Sequence, residues 1–256
     1  MKFVRFEKNQ AISYGVIEDN RVFPLKGSPF DDNFVIEKES IGINEVKLLA
    51  PCTPGKILCV GLNYADHAAE VGLATPKWPV IFMKPSTTVI GPDEEIIYPG
   101  DFVTRLDYEA ELAFIIKKKA KNVAEENALD YILGYTCGND VTARNLQPKD
   151  GQWTIAKSFD TFMPLGPVIA TDIPWDNLNI SCTLNGELKQ KSHTKNLIFG
   201  VPYLTSYLSK IMTLMPGDVI ITGTPSGISS MMPGDEVSVT IDGIGTLTNK
   251  VVKREN

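Results

Sequence analysis

The sequence predicts an α+β fold dominated by β-structure, with a mixed sheet that is rolled or barrel-like and a small β-rich module at the N-terminus. Three observations carry this. Short apolar or alternating runs bounded by turn residues recur along all 256 residues. The pairs Pro216-Gly217, Pro233-Gly234 and Asp242-Gly243 mark tight turns between such runs. Helix-like stretches are few, at about 63–71, 124–131, 141–147 and 199–212.

Residues 1–50 hold three strand-like runs, at 3–6, 12–17 and 21–25, with a turn at Asp19-Asn20. Pro51-Cys-Thr-Pro-Gly55 then reads as a linker between that module and a main domain of residues 51–256. A short apolar strand follows at 56–60. The helical stretch 63–71 ends at Gly72, and the prolines of 75–79 keep the next segment irregular. Strands are expected at 80–83, 95–98 and 106–116. The C-terminal third is strongly β, with runs at 219–222, 237–241 and 246–252.

Composition excludes several classes. Hydrophobic residues make up 43% and charged residues 22%, enough apolar material for a sizeable core. Net charge is −6 and the one basic run, Lys117-Lys118-Lys119, reads as a solvated strand end, so no nucleic-acid partner is expected. A charged N-terminus and the lack of a long apolar run predict a cytoplasmic protein with no membrane partner. Cys52, Cys59, Cys137 and Cys182 form no Cys-x-x-Cys pair and read as reduced core residues.

Chemistry concentrates in a few segments. In the run 106–116, Glu109 and Glu111 share one strand face with Asp107, and that face turns apolar at Ala113 and Ile115. A strand apolar on both faces is buried on both, and buried carboxylates need a partner. No Lys or Arg alternates with them, so a hard divalent cation suits them; the alternative is an edge strand carrying charge to water. Asp140 stands at a strand-to-helix junction. It is an N-cap, or half of a plain i, i+4 surface pair with Arg144, or, with Arg144 and Gln147 four and three residues apart on a helix face, part of an anion- and metal-binding edge. His67 and Glu70 lie three apart on a helix, a spacing that lets a carboxylate orient an imidazole as a general base. The apolar run before them and the breakers after them suggest a lid. His193, in a polar stretch, reads as a solvated loop residue. Gly223-Thr-Pro-Ser-Gly227 is either a tight turn or a strand-end cradle of backbone N–H groups for an anion. Lys157 interrupts an apolar stretch and either meets the carboxylates or reaches water.

Six segments together resemble the fumarylacetoacetate hydrolase family. They are Val60-Gly-Leu-Asn-Tyr-Ala-Asp-His67-Ala-Ala-Glu70, Met83-Lys84-Pro85-Ser, Tyr108-Glu-Ala-Glu-Leu112, Gly138-Asn-Asp-Val-Thr-Ala-Arg144, Ala156-Lys-Ser-Phe-Asp and Gly223-Thr-Pro-Ser-Gly227. They occur in the family's order from about residue 52 to 240. The resemblance implies that Glu109, Glu111 and Asp140 hold Mg²⁺, with Mn²⁺ or Ca²⁺ as alternatives. It places Lys157 and Thr161 beside that cluster and gives Arg144, Gln147 and Thr224 to the substrate, Thr224 at its carboxylate. It makes His67 and Glu70 a water-activating dyad. Larger members add a further acidic ligand from a longer N-terminal domain, and no counterpart of that ligand is expected here. A homodimer is implied too.

The activity these expectations favour is Mg²⁺-dependent hydrolysis of a C–C bond in an acylpyruvate-type 2-oxo acid, through a metal-stabilised enolate with His67 as base. The same chemistry serves the alternatives: isomerisation or decarboxylation of 2-hydroxyhepta-2,4-diene-1,7-dioate or 5-oxopent-3-ene-1,2,5-tricarboxylate, and decarboxylation of oxaloacetate. A non-catalytic metal domain that binds carboxylates ranks below these enzymes.

Overall fold

The computed structural model describes residues 1–253 except Asp32, residues 67–71, Leu73, Asp101 and Asp150. Among the described residues, thirteen strands join in one sheet. Its path runs from the N-terminal strands Arg21–Lys26, Ala11–Glu18 and Lys2–Lys8 through Met163–Ala170 and Ile132–Asn139 to Ala110–Ile116. It continues through Val219–Ile221 and Ile57–Gly61 to the edge strand Val80–Lys84. Most neighbours are antiparallel, but Val219–Ile221 and Ile57–Gly61 are parallel, so the sheet is mixed. A five-stranded sheet contains Gly245–Lys253, Glu236–Ile241, Asn179–Leu184 and Glu187–His193. Leu106–Asp107 sits between Thr142–Ala143 and Ser230–Met231 in a small third sheet. The predicted β-dominated fold is present, as several open sheets none of which closes into a barrel.

Strand Ala110–Ile116 is buried along its whole length. Leu112, Phe114 and Ile116 face a core shared with Val237, Val239, Leu247 and Val251 of the five-stranded sheet. Ala113 and Ile115 face the opposite core, with Ile57, Val219 and Met163. Period-two alternation thus places apolar side chains on both faces, and Glu111 is the charged interruption on the second.

The N-terminal strands continue the main sheet, because Lys2 pairs with Ala170 and Phe3 with Ile169. The helix Val201–Ile211 buries Val201, Leu204 and Leu208, the spacing of one helical face. Residues Glu125–Tyr131 form a 3₁₀ helix, where an α-helix was expected at 124–131. The helix expected at 141–147 reduces to one 3₁₀ turn, Arg144–Leu146, because Thr142 and Ala143 pair with Asp107 and Leu106 as a strand. Of the stretch 63–71, only Ala65 and Asp66 are described as helical. Both Pro-Gly turns form as predicted: Gly217 and Gly234 take positive φ, and the N–H groups of Asp218 and Asp235 donate to the carbonyls of Met215 and Met232. Among the described residues no helix is long and apolar enough to cross a membrane.

Candidate active site

Strand pairing brings the three carboxylates together. Glu109 lies in the break between Leu106–Asp107 and Ala110–Ile116, so the pair spans a strand and its lead-in. Its N–H donates to Asn139 Oδ1 at 3.0 Å, and its carbonyl accepts the Asp140 N–H at 2.9 Å. These two bonds fix Asp140 beside Glu109. Glu111 follows inside the strand, and its Oε2 accepts the Gly223 N–H at 2.6 Å. One oxygen from each of Glu109, Glu111 and Asp140 lies within 4.8 Å of the others, and all three residues are buried.

Cations from distant segments reach two of the three. Lys157 Nζ donates to Glu109 Oε2 at 2.9 Å and to Asp140 Oδ2 at 2.5 Å. Lys84, also buried, donates to Asp140 Oδ1 and to the Val141 carbonyl at 3.1 Å. Arg144 donates to Glu109 Oε1, to Gln147 Oε1 and, through Nε at 2.8 Å, to buried Asp107. Burial alone would raise the Glu109 pKa, but Lys157 and Arg144 pull it down to about 2. Burial would likewise neutralise Lys157, yet Asp140 and Glu109 hold it protonated.

Glu111 differs. Among the described residues no Lys or Arg touches it, and its pKa is raised well above the usual range by burial, then by Asp140 and Glu109. A buried carboxylate short of a counter-charge, beside two more carboxylate oxygens, is a donor set that fits a hard divalent cation. The residues present therefore fit such an ion. Lys157 was expected beside the cluster; Lys84 and Arg144 join it there, and the three partly neutralise it through contacts 17 to 56 residues apart in sequence.

The cluster forms the floor of a cavity of about 490 Å³. Arg144, Gln147, Lys157 and Thr224 also line it, so seven of the nine predicted site residues converge there. Val60, Val80, Phe82 and Trp153 supply apolar walls. The other two, His67 and Glu70, lie outside the described residues, as do residues 67–71 and 73 of the segment expected to form a lid.

Several readings need correction. Asp140 caps no helix; it is fully buried and pairs with lysines rather than Arg144. Thr161 accepts the Ile97 N–H at 2.9 Å and does not line the cavity. His193 ends the strand Glu187–His193, and its Nδ1 accepts the Lys195 N–H at 3.1 Å. In the Gly223–Gly227 loop the Gly223 N–H already serves Glu111, not a free anion. Gly223 is required there: its φ is +95°, and a Cβ would sit 2.9 Å from Asn63 Cβ. Lys84, Asp107 and Gln190 had no assigned role. Asp107 shares the face of Glu109 and Glu111, a signal that was available; Lys84 stood in the Met83-Lys84-Pro85-Ser segment of the resemblance, and Gln190 gave no local signal.

The family model for the fumarylacetoacetate hydrolase C-terminal domain matches residues 56–252. The chain belongs to the fumarylacetoacetate hydrolase family. Residues 1–51 match a separate model, Rv2993c-like N-terminal. A family relative from Methanocaldococcus jannaschii, the uncharacterized protein MJ1656, is 54% identical over 85% of this chain and 89% of its own length. Another, the mitochondrial oxaloacetate tautomerase fahd2 of Xenopus laevis, is 44% identical over 82% of this chain and 69% of its own. Among solved structures of the family fold, a 5-carboxymethyl-2-hydroxymuconate delta-isomerase from Mycobacterium smegmatis is 41% identical. It superposes with a TM-score of 0.93 over 99% of this chain and 100% of that one.

Proposed function

We propose that the chain is a divalent-cation-dependent enzyme that moves a proton at the carbon beside the 2-oxo group of a small 2-oxo acid, as a keto–enol tautomerase or isomerase. The observation that carries this reading is the convergence of Glu109, Glu111 and Asp140 under a cavity whose other polar side chains include Arg144, Gln147, Lys149, Lys157 and Thr224. The likeness to an oxaloacetate tautomerase and a delta-isomerase at more than 40% identity favours proton transfer.

Glu109, Glu111 and Asp140 are the ligands. A divalent cation bound there supplies Lewis-acid polarisation of the 2-oxo acid. Arg144, with Gln147 fixing its guanidinium, presents positive charge to the substrate. Lys157, kept protonated by its carboxylate neighbours, adds charge where the anion develops. The Thr224 hydroxyl donates to the substrate carboxylate. The apolar walls exclude water from the reacting carbon. His67, oriented by Glu70, carries the proton; its place in the motif supports that role.

The test is enol-to-ketone conversion of oxaloacetate, followed by the loss of enol absorbance with Mg²⁺ and after chelation. The expected result is catalysis with Mg²⁺ and a return to the uncatalysed rate with chelator. Undiminished catalysis under chelation would exclude the cation, and no catalysis on oxaloacetate or the isomerase-type diacids would exclude proton transfer. One observation favours a second reading, hydrolysis of an acylpyruvate: the sequence retains both His67 and Glu70, a pairing suited to activating water. Pyruvate release from acetylpyruvate distinguishes the two.

A further inference from the structure

Gln190 stands on the strand Glu187–His193 of the five-stranded sheet and is fully buried, yet it belongs to no motif. Its Oε1 accepts the Ala110 N–H at 3.0 Å, between Glu109 and Glu111. Its Nε2 donates to the Pro225 carbonyl at 2.8 Å and to Thr224 Oγ1 at 2.9 Å. The two backbone partners leave the amide one orientation. Turned over, it would set an NH₂ against the Ala110 N–H and an oxygen against the Pro225 carbonyl. The nitrogen must therefore face Thr224.

We infer that Gln190 is a positioning residue that aims the Thr224 hydroxyl proton at the substrate. A hydroxyl has one donor, and its oxygen accepts. With Gln190 donating to Oγ1, Thr224 cannot use its proton on that partner. Among the described residues Thr224 has no other side-chain hydrogen bond, and it lines the cavity. The proton is left for an acceptor inside the cavity, which selects an anionic oxygen and disfavours a donor at that point. Gln190 also ties that hydroxyl to the backbone between two ligand carboxylates, so the anion subsite and the cation subsite share one anchor. Close packing supports this rigidity: a Cβ on Gly227 would lie 2.3 Å from the Lys189 carbonyl.

The inference rests on the proposed role of Thr224, and the experiment separates the two. The probe is oxalate, a planar stand-in for a 2-oxo acid enolate, titrated calorimetrically into the Mg²⁺-saturated protein. The penalty of Thr224→Val is measured in three backgrounds: wild type, Gln190→Met and Gln190→Glu. In wild type we expect oxalate binding to weaken about tenfold or more, the loss of one hydrogen bond to a charged group, with Thr224→Ser retaining affinity. In both Gln190 backgrounds we expect the Thr224→Val penalty to collapse to less than about threefold, since the hydroxyl is no longer aimed. The added charge of Gln190→Glu cancels in the ratio. That variant keeps an acceptor for the Ala110 N–H, so it serves if Gln190→Met does not fold. No penalty in wild type would overturn the role of Thr224 itself. A full penalty in every background would leave Thr224 in place and overturn the inference about Gln190.

Discussion

Asp218 and Asp140 are both buried aspartates that meet lysine, and they do different work. Asp218 closes the Pro216-Gly217 turn. Its Oδ1 accepts the Lys56 N–H at 3.2 Å, and its Oδ2 accepts the Met215 N–H at 2.7 Å as well as the Lys56 ammonium. Among the described residues no backbone N–H donates to the Asp140 carboxylate. Among them its oxygens meet only Lys84 and Lys157, and it lines a cavity. The difference lies in the donors. A carboxylate satisfied by the backbone of its own turn is a clamp. One surrounded by side-chain cations and open to a cavity keeps lone pairs for something that arrives from outside.

Breaking the two arrangements should separate them. The largest contrast is in activity: Asp140→Asn or Glu111→Gln should lower turnover about 100-fold or more, while Asp218→Asn stays within about threefold of wild type and loses about 3 kcal/mol of stability. Steady-state rates and urea unfolding read the two outcomes. Next come the lysines. Lys157→Met strands parts of Glu109 and Asp140 without their counter-ion and should cost about 3 kcal/mol in the cation-free protein. Lys56→Met, at a partly exposed pair, should cost about 1 kcal/mol and leave turnover unchanged. Denaturant melts with chelator present compare them.

The loops show the contrast on a smaller scale. Gly223→Ala meets Asn63 and the Val60 carbonyl as well as the strain of positive φ, so about 2 to 3 kcal/mol is expected. Gly234→Ala, with positive φ but open space around it, should cost about 1 kcal/mol. The smallest effect concerns the thiols. Burial pushes Cys52 and Cys182 up to about 12, so both stay neutral at pH 8 and far from thiolate reactivity. Native protein should resist iodoacetamide, and all four cysteines should react after unfolding; mass spectrometry counts the adducts.

The carboxylate cluster was legible because spacing two in a strand that is apolar on both faces leaves buried charge with no local partner, and Asp140 ended a similar buried run. Turns were legible because Pro-Gly and Asp-Gly dictate backbone angles locally. The partners were legible only in part. Lys157 was expected beside the cluster, and Lys84 stood in a segment of the resemblance without a role, while Gln190 reaches the site through sheet pairing and packing, which leave no local pattern. The helix expected at 141–147 failed for a related reason: Asp140, Arg144 and Gln147 have helical spacing, but Thr142 and Ala143 pair with residues 106 and 107, and tertiary pairing overrides the period. Arg144 and Gln147 still meet, because a single 3₁₀ turn brings residues three apart together.

The central claim is that Glu109, Glu111 and Asp140 hold a divalent cation. Calorimetric titration of the chelator-treated protein with Mn²⁺ tests it most directly. The account predicts one ion bound per chain in wild type and none in Glu111→Gln. An absence of binding in wild type, or equal binding by the Glu111→Gln variant, would contradict it.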